Sequence, residues 1–480
     1  MAKAEKEKKA KVPAWIADVA KAIEVEGKSL DMRAVSLTST KGGVRWATSS
    51  GSLAIDVITG GGWAPGRAVS TFGPEQSGKT SGAYETLARC LLEGTICIIY
   101  DAEQATDPEY LNRIIFKVTG HTMDYYLGII EDGKIIKAGL LYYISPNTGD
   151  NVFRHMNRVM KTLPDVIKNK GKWYWAKPGK KKGDFEYEER EIEGAISALV
   201  IVDSLPALVP EASEKDDTAS PMAQLARMLS EKFPKTIQRC GRKRCTLLYT
   251  NQIRNKIGVM FCSPEYEPGG EAPKFYSSQR IRFSAISLST VDKVFITVGG
   301  DDEAKGKVDV ERSWDGSGND KYRYSKISVT KNKSFSPFQN TFVRWRFEKA
   351  GQQGDGLDPS FDAYMYLYMT GQCSKKTGKG LSISLLGANE GESVPEKTIE
   401  LLSPNPSKKA DKKKDKKKDK KKKKSDSTSL EMSMSWVEFK ELVENPERKN
   451  ALIKHCHKQL QSGYAYALYF AMKNNEGEEE

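Results

Sequence analysis

No stretch of this chain approaches the roughly 18 uninterrupted apolar residues of a membrane-spanning helix. The lysine-rich start, Met1 to Lys11, also has no apolar core of the kind a secretory signal needs. Membrane and exported classes are set aside on these grounds, and the expected compartment is the cytoplasm. Cysteine is scarce: seven residues, odd in number and scattered, argue for reduced thiols rather than a disulfide framework. Cys240 and Cys245 have no second pair to complete a zinc site. In His455-Cys456-His457 neighbouring helix positions face different ways, so no metal cluster is expected there. Disorder is excluded as well, because 38% hydrophobic content in 480 residues is enough for a large core.

Strong basicity is missing from most of the chain, although its net charge is +13. Residues 408–424 hold thirteen lysines and three aspartates, a net of +10, which leaves +3 for the remainder. The tract reads as a solvated linker. Its functional alternative is a flexible arm adding salt-sensitive affinity for nucleic-acid phosphates.

What the chain does contain is Gly73-Pro74-Glu75-Gln76-Ser77-Gly78-Lys79-Thr80, a G-x-x-x-x-G-K-[ST] phosphate loop in the right setting. Ala68 to Phe72 before it reads as a buried strand, and Ser81 to Leu92 after it reads as a helix stopping near Gly94. Glycines let backbone N–H groups close round phosphates, and the helix N-terminus adds partial positive charge. Lys79 would reach the outer phosphates and the Thr80 hydroxyl would ligate Mg²⁺, so binding and hydrolysis of ATP are expected. Val200-Ile201-Val202-Asp203 puts Asp203 at the end of an apolar strand, where a second Mg²⁺ ligand belongs. Glu103 lies at a neighbouring strand end, and the polar Thr250-Asn251-Gln252 offers an amide to sense the γ-phosphate.

Apolar runs alternate with helical patterns around these motifs. Thr95–Tyr100, Leu140–Ser145, Ala198–Val202 and Cys245–Thr250 read as core strands; Asp107–Val118, Asp150–Ile167 and Pro221–Gln238 read as helices. The fold class is therefore α/β, a mostly parallel sheet flanked by helices, with ligands at the carboxyl ends of its strands. Ile281 to Phe347 is strand-like, apart from a polar stretch at Gly299–Asp320. Asn169 to Arg190 reads as a surface insertion with a possible DNA contact. Leu430 to Met472 shows helical periodicity and reads as a small helical module tethered by the lysine tract. The tail Glu476 to Glu480 is either solubilising or an acidic competitor for a basic DNA site. The expected divisions are an N-terminal segment (1–45), an ATPase core (46–350, insertions about 169–190 and 299–320), an extension (351–405), the linker (406–429) and the helical module (430–480); the resemblance given next implies oligomerisation for the first and DNA binding for the second.

Several blocks in order resemble one family, the bacterial and phage RecA-type strand-exchange recombinases. They are Ser50 to Asp56, the loop Gly73 to Thr80, Asp101-Ala102-Glu103 with Asp107-Pro108, Val202-Asp203-Ser204, Asn251 to Phe261, Gly269-Gly270, Lys274-Phe275-Tyr276 and Lys331-Asn332-Lys333. The resemblance spans roughly residues 45 to 350. It implies a RecA-like P-loop ATPase that forms helical filaments on single-stranded DNA and exchanges strands with double-stranded DNA, using ATP and Mg²⁺. Glu103 would orient the attacking water, and Asp203 and Thr80 would hold Mg²⁺. Asp107 and Tyr110 would pack about the adenine, and Gln252 would couple the γ-phosphate to the following loop. Lys331 and Lys333 would reach the ATP of the next protomer. The loop Arg254 to Lys274 would bind DNA through Arg254 and Lys256, with apolar wedges Ile257, Met260 and Phe261, and with Gly269 and Gly270 permitting close approach. A second loop, Glu211 to Met222, would offer Met222. The segment Val12 to Lys28, apolar on one face through Trp15, Ile16, Val19, Ala20 and Ile23, would dock on the adjacent protomer. Single-strand-binding and loading proteins would cooperate. Gln76 and Glu271 depart from the family pattern, which has serine and asparagine there. A ring-forming motor shares the ATPase core but has no need of the Asn-Gln-Ile-Arg loop with its paired glycines.

Overall fold

The computed structural model describes residues 47–132, 134–169, 172–178, 185–191, 196–213, 220–255, 265–286, 322–347, 353–375, 381–402, 429–462, 464–465 and 468–471. All lie within one compact unit, Arg45–Glu480. Its centre is a nine-stranded sheet. In chain order the strands are β1 (Ala68–Gly73), β2 (Ile96–Asp101), β3 (Leu141–Ile144), β4 (Ala198–Asp203), β5 (Thr246–Gln252), β6 (Gln279–Ala285), β7 (Tyr322–Asn332), β8 (Asn340–Phe347) and β9 (Gln353–Leu357). They are arranged β9-β8-β7-β6-β1-β5-β4-β2-β3. The run from β3 to β6 is parallel, and β6 to β9 continue as an antiparallel meander.

The parallel strands are apolar on both faces because both are covered. On β2, Cys97 and Ile99 join the core that contains helices α1 (Leu53–Thr59), α2 (Lys79–Leu92) and α3 (Pro108–Thr119). Ile98 and Tyr100 join the core formed with α4 (Gly149–Thr162) and α5 (Pro221–Lys243). Helix starts follow local chemistry: Asp107 caps α3, accepting from the Glu109 and Tyr110 amides, with Pro108 at the first helical position.

Two expectations are corrected. The helix expected over Asp150–Ile167 ends at Thr162, and Asp165–Asn169 is a strand. Pro164 disfavours the helical conformation at Leu163, whose ψ is 147°. The described part of the expected insertion Asn169–Arg190 forms, with Asp165–Asn169, a separate three-stranded antiparallel sheet whose other strands are Lys172–Pro178 and Phe185–Glu191; Gly299–Asp320 lies outside the described residues. The helical reading of Leu430–Met472 fails at its start. Leu430–Met434 is a strand that pairs with Leu381–Leu385, and its buried residues Met432 and Met434 follow a period of two. Helices do follow, α7 (Trp436–Glu444) and α8 (Pro446–Ser462), and they pack on α1 and on α6 (Pro359–Met369) in the same core.

Six of the cysteines are buried free thiols; Cys262 lies outside the described residues. Among the described residues no cluster of His, Cys, Asp or Glu is fit to hold a metal ion. No described helix is long and apolar enough to cross a membrane.

Candidate nucleotide site and its neighbouring loop

Four parallel strands end together. β1 ends at Gly73 opposite Gln252 of β5, and β2 ends at Asp101 opposite Asp203 of β4. The phosphate loop leaves β1 at this edge, and α2 begins at Lys79. A cleft of about 300 Å³ follows, lined among others by Gln76 to Ser81, Tyr84, Asp107, Tyr110, Arg323, Trp345, Arg346 and Gly354. Lys79 Nζ donates to the carbonyls of Gly73 (3.2 Å) and Pro74 (2.5 Å), and Ser77 Oγ to that of Pro74 (2.8 Å). Gly78 has φ 89°, and a Cβ there would lie 2.6 Å from the Trp345 indole. Only glycine fits both demands.

Asp203 is the electrostatic centre. Its carboxylate accepts from Thr80 Oγ1 at 2.8 Å and Thr250 Oγ1 at 2.5 Å. Burial pushes its carboxyl above the ordinary range; the two hydroxyls oppose the shift, and the charges of Glu103 and Asp101 add to it. Lys79 is lowered by burial, against the pull of Asp203, Glu103 and Glu75. Asp101 goes the other way: burial would raise it, but hydrogen bonds from Thr106 and Tyr143 prevail and lower it. Glu103 Oε1 accepts from Ser204 Oγ and, at 3.3 Å, from Gln252 Nε2. The Asp203-Ser204 peptide is cis. Water orientation, Mg²⁺ ligation and γ-phosphate sensing would thus fall to side chains already in contact.

The structure brings Gly73 to Thr80, Glu103, Asp107, Tyr110, Asp203 and Gln252 to this edge. Asp107 also caps α3, and Tyr110 Oη lies 2.6 Å from Ser81 Oγ. Lys331 and Lys333 do not line the cleft. Lys331 Nζ donates to the carbonyls of Lys274 (2.8 Å) and Phe275 (3.0 Å), and Lys333 Nζ lies 5.9 Å from the Phe275 ring. Burial, Lys333 and Arg280 lower Lys331.

The loop from Arg254 is tied to the site at its root, where the Ile253 amide donates to the Gly73 carbonyl at 3.3 Å. Arg254–Asn255 pairs antiparallel with Glu265–Tyr266 to form a stem. Lys256, Ile257, Met260 and Phe261 lie outside the described residues. Met222, expected on a loop, sits in the first turn of α5, 42% exposed, because Pro221 starts the helix there. Its sulfur is 3.9 Å from Tyr266 Oη. A Cβ on Gly270 would meet Ala226 at 2.9 Å, and one on Gly269 would meet Leu229 at 2.7 Å. Met222, Ala226 and Leu229 lie on one helical stripe. The close approach these glycines allow within the chain is to α5.

Sequence reasoning missed Ser204, Tyr84, Arg323, Trp345, Arg346 and Gly354. Ser204 follows Asp203 and was within reach of a strand-end argument. The cleft-lining residues of β7, β8 and β9 carry no local signal. Trp345 Nε1 donates to Ser325 Oγ (2.9 Å), and that hydroxyl donates to the Ser77 carbonyl (2.8 Å). Arg323 Nη1 reaches the Gln76 carbonyl and side-chain oxygen at 3.3 and 3.4 Å. Gln76, one of the departures from the family pattern, adopts φ 55°.

Residues 19–122 and 173–308 match the RecA N-terminal domain. Protein RecA of Paracoccus denitrificans is 33% identical over 237 residues, 49% of this chain and 52% of that protein. The chromosomal Protein RecA of Lactococcus lactis subsp. lactis (strain IL1403) is 30% identical over 320 residues, 65% of this chain and 63% of that one. The chain thus aligns with between half and two thirds of the length of these relatives. A crystal structure of the RadB recombinase is similar at 15% identity and a TM-score of 0.35, covering 65% of this chain and 98% of that one.

Proposed function

Since the chain belongs to the RecA family, we propose that it is an ATP-dependent DNA recombinase that forms helical filaments on single-stranded DNA and catalyses homologous pairing and strand exchange in recombination and repair. The observation that carries this reading is the Glu103–Gln252 contact, which joins a water-orienting carboxylate to the strand that runs into the Arg254 loop. Loop amides and Lys79 bind the phosphates of ATP, and Asp107 and Tyr110 flank its base. The residues fit Mg²⁺, since Thr80 and the buried Asp203 already share a hydrogen bond. Bound there, the ion would offset negative charge on the phosphate oxygens. Glu103 holds the attacking water, and Gln252 carries the nucleotide state to the loop.

Arg254 and Lys256 neutralise DNA phosphates, and Ile257, Met260 and Phe261 enter between bases. Lys331 and Lys333 act on the nucleotide of the neighbouring protomer, which accords with their absence from the cleft of their own chain. A head-to-tail interface that does not close produces a helix, with Val12 to Lys28 as the docking segment. Single-strand-binding and loading proteins assist, and the protein works in the cytoplasm.

The test is ATP hydrolysis with and without single-stranded DNA, with negative-stain imaging of the same samples. Stimulation by DNA together with extended helical filaments is the expected result. Rings or monomers with DNA-independent hydrolysis would overturn the reading in favour of a motor or a regulatory relative.

A further inference from the structure

Two glutamates and two arginines repeat at the same spacing on facing segments. Glu265 and Glu267 stand two apart on the returning arm of the loop stem, and Arg280 and Arg282 stand two apart on β6. Residues two apart in extended chain share a face, and the four side chains meet as two ion pairs. Arg282 grips Glu265 with two hydrogen bonds, 2.7 and 2.8 Å long. Arg280 pairs with Glu267, whose side chain is only 9% exposed. The Arg280 guanidinium also lies 4.6 Å from the centre of the Phe72 ring, at the end of β1 just before the phosphate loop. From the other side, Asn251 Nδ2 donates to the Pro268 carbonyl at 3.2 Å and lies 3.5 Å from Glu267 Oε2. Asn251 immediately precedes Gln252, the partner of Glu103.

We propose that Glu267 and Arg280 form a positioning pair that locks the returning arm of the DNA-binding loop to the nucleotide site, so that the grip on single-stranded DNA follows the bound nucleotide. The inference rests on the reading of Arg254 to Lys274 as that loop. Two carboxylates in the stem of an anion-binding loop would repel DNA phosphates, and pairing them with β6 neutralises both. The inner pair is largely buried, so removing one partner leaves an uncompensated charge and the arm loses its anchor. The outer pair, with both side chains 34% exposed, is screened by solvent and salt and contributes less.

The experiment is fluorescence anisotropy of a labelled oligothymidylate with the full chain, in ATPγS and in ADP, alongside hydrolysis measured without DNA. Glu267→Gln is expected to shrink the ratio of DNA affinities between the two nucleotides by about tenfold, within the usual range of coupling energies. DNA-independent hydrolysis should stay within about twofold, because neither partner touches the cleft. The double variant E267R/R280E, which restores opposite charges in reversed order, should recover most of the ratio, and Glu265→Gln should change it by about twofold at most. If Glu267→Gln is poorly folded, the charge-swapped variant decides on the same readouts. An unchanged ratio, or equal weakening in both nucleotides without rescue by the swap, would overturn the proposal. Failure of the wild-type chain to bind DNA in either nucleotide would instead remove the loop reading, and the inference with it.

Discussion

The two walls of the nucleotide cleft are made in opposite ways. One is eight consecutive residues, Gly73 to Thr80, held between β1 and α2. The other is gathered from β7, β8 and β9, with Arg323 and Ser325 standing 247 and 248 residues from their partners in the loop. The contiguous wall presents backbone amides, a lysine and a hydroxyl, the groups proposed to meet phosphate and Mg²⁺. The distant wall holds that backbone in shape: Trp345 under Gly78, Ser325 on Ser77, Arg323 on Gln76. Chemistry here is local in sequence, and the support for it is not.

The largest expected effect tests the chemical side. Glu103→Gln should lower DNA-stimulated ATP hydrolysis by about 100-fold or more, the scale of losing a group that directs proton transfer, while nucleotide binding measured by a fluorescent analogue persists. Retained hydrolysis would remove Glu103 from its role. Next comes the base of the distant wall. Arg344 is buried, donates through Nε to Asp358 at 2.6 Å, and lies 4.0 Å from the Tyr322 ring centre. Arg344→Met should cost about 3 kcal/mol in urea unfolding, because it leaves the buried Asp358 carboxylate only Arg346 and the Ser360 amide as partners. A cost under about 1 kcal/mol, the size of an exposed pair, would break the claim that this wall depends on buried charge.

A third test concerns the Ser50 to Asp56 block, contiguous like the phosphate loop yet dependent on distant support. Asp56 accepts from Ser49 Oγ, Ser50 Oγ and the Ser50 amide, and burial raises its pKa to about 7 despite these bonds. A raised carboxyl means that the native state keeps a proton the unfolded chain has released. Its contribution is present in full at low pH and is lost as pH rises from about 4 to about 7. Asp56→Asn should flatten the melting-temperature profile across that window. A wild-type minus variant difference that grows with pH would have the wrong sign. The smallest effect is expected of Arg323→Ala, a two- to fivefold rise in KM for ATP with kcat nearly unchanged, since one weak hydrogen-bonding partner of Gln76 is lost (roughly 0.5–1 kcal/mol). In a Gln76→Ser background the effect should shrink, and an equal effect in both backgrounds would mean that the side-chain contact contributes nothing.

The parallel half of the sheet was legible because each strand is a continuous apolar run buried on both faces, ending in a polar residue at the ligand edge. Asp203 and Glu103 stood out for that reason. Leu430–Met434 was misread because its period-two alternation is only five residues long and is followed at once by helical spacing. Thr250 was seen as part of a polar strand end, but its bond to Asp203 follows from the register of β5 against β4, in which Tyr249 lies opposite Val202. The start of α1 shows the same limit. Ser52 caps it locally, yet Asp362, about 310 residues away, accepts from Ser52 Oγ and from the Leu53 and Ala54 amides.

The sequence by itself determined the phosphate loop, the two strand-end carboxylates and the α/β class, because glycine placement, caps and apolar runs act within a few residues of where they are written. Only the tertiary structure decided which far-off side chains hold the loop, that Gly269 and Gly270 lie close against α5, and that Glu267 meets Arg280. Such contacts depend on strand order and on register. A shift of one residue turns a side chain to the opposite face, and that register is settled by packing across the whole sheet.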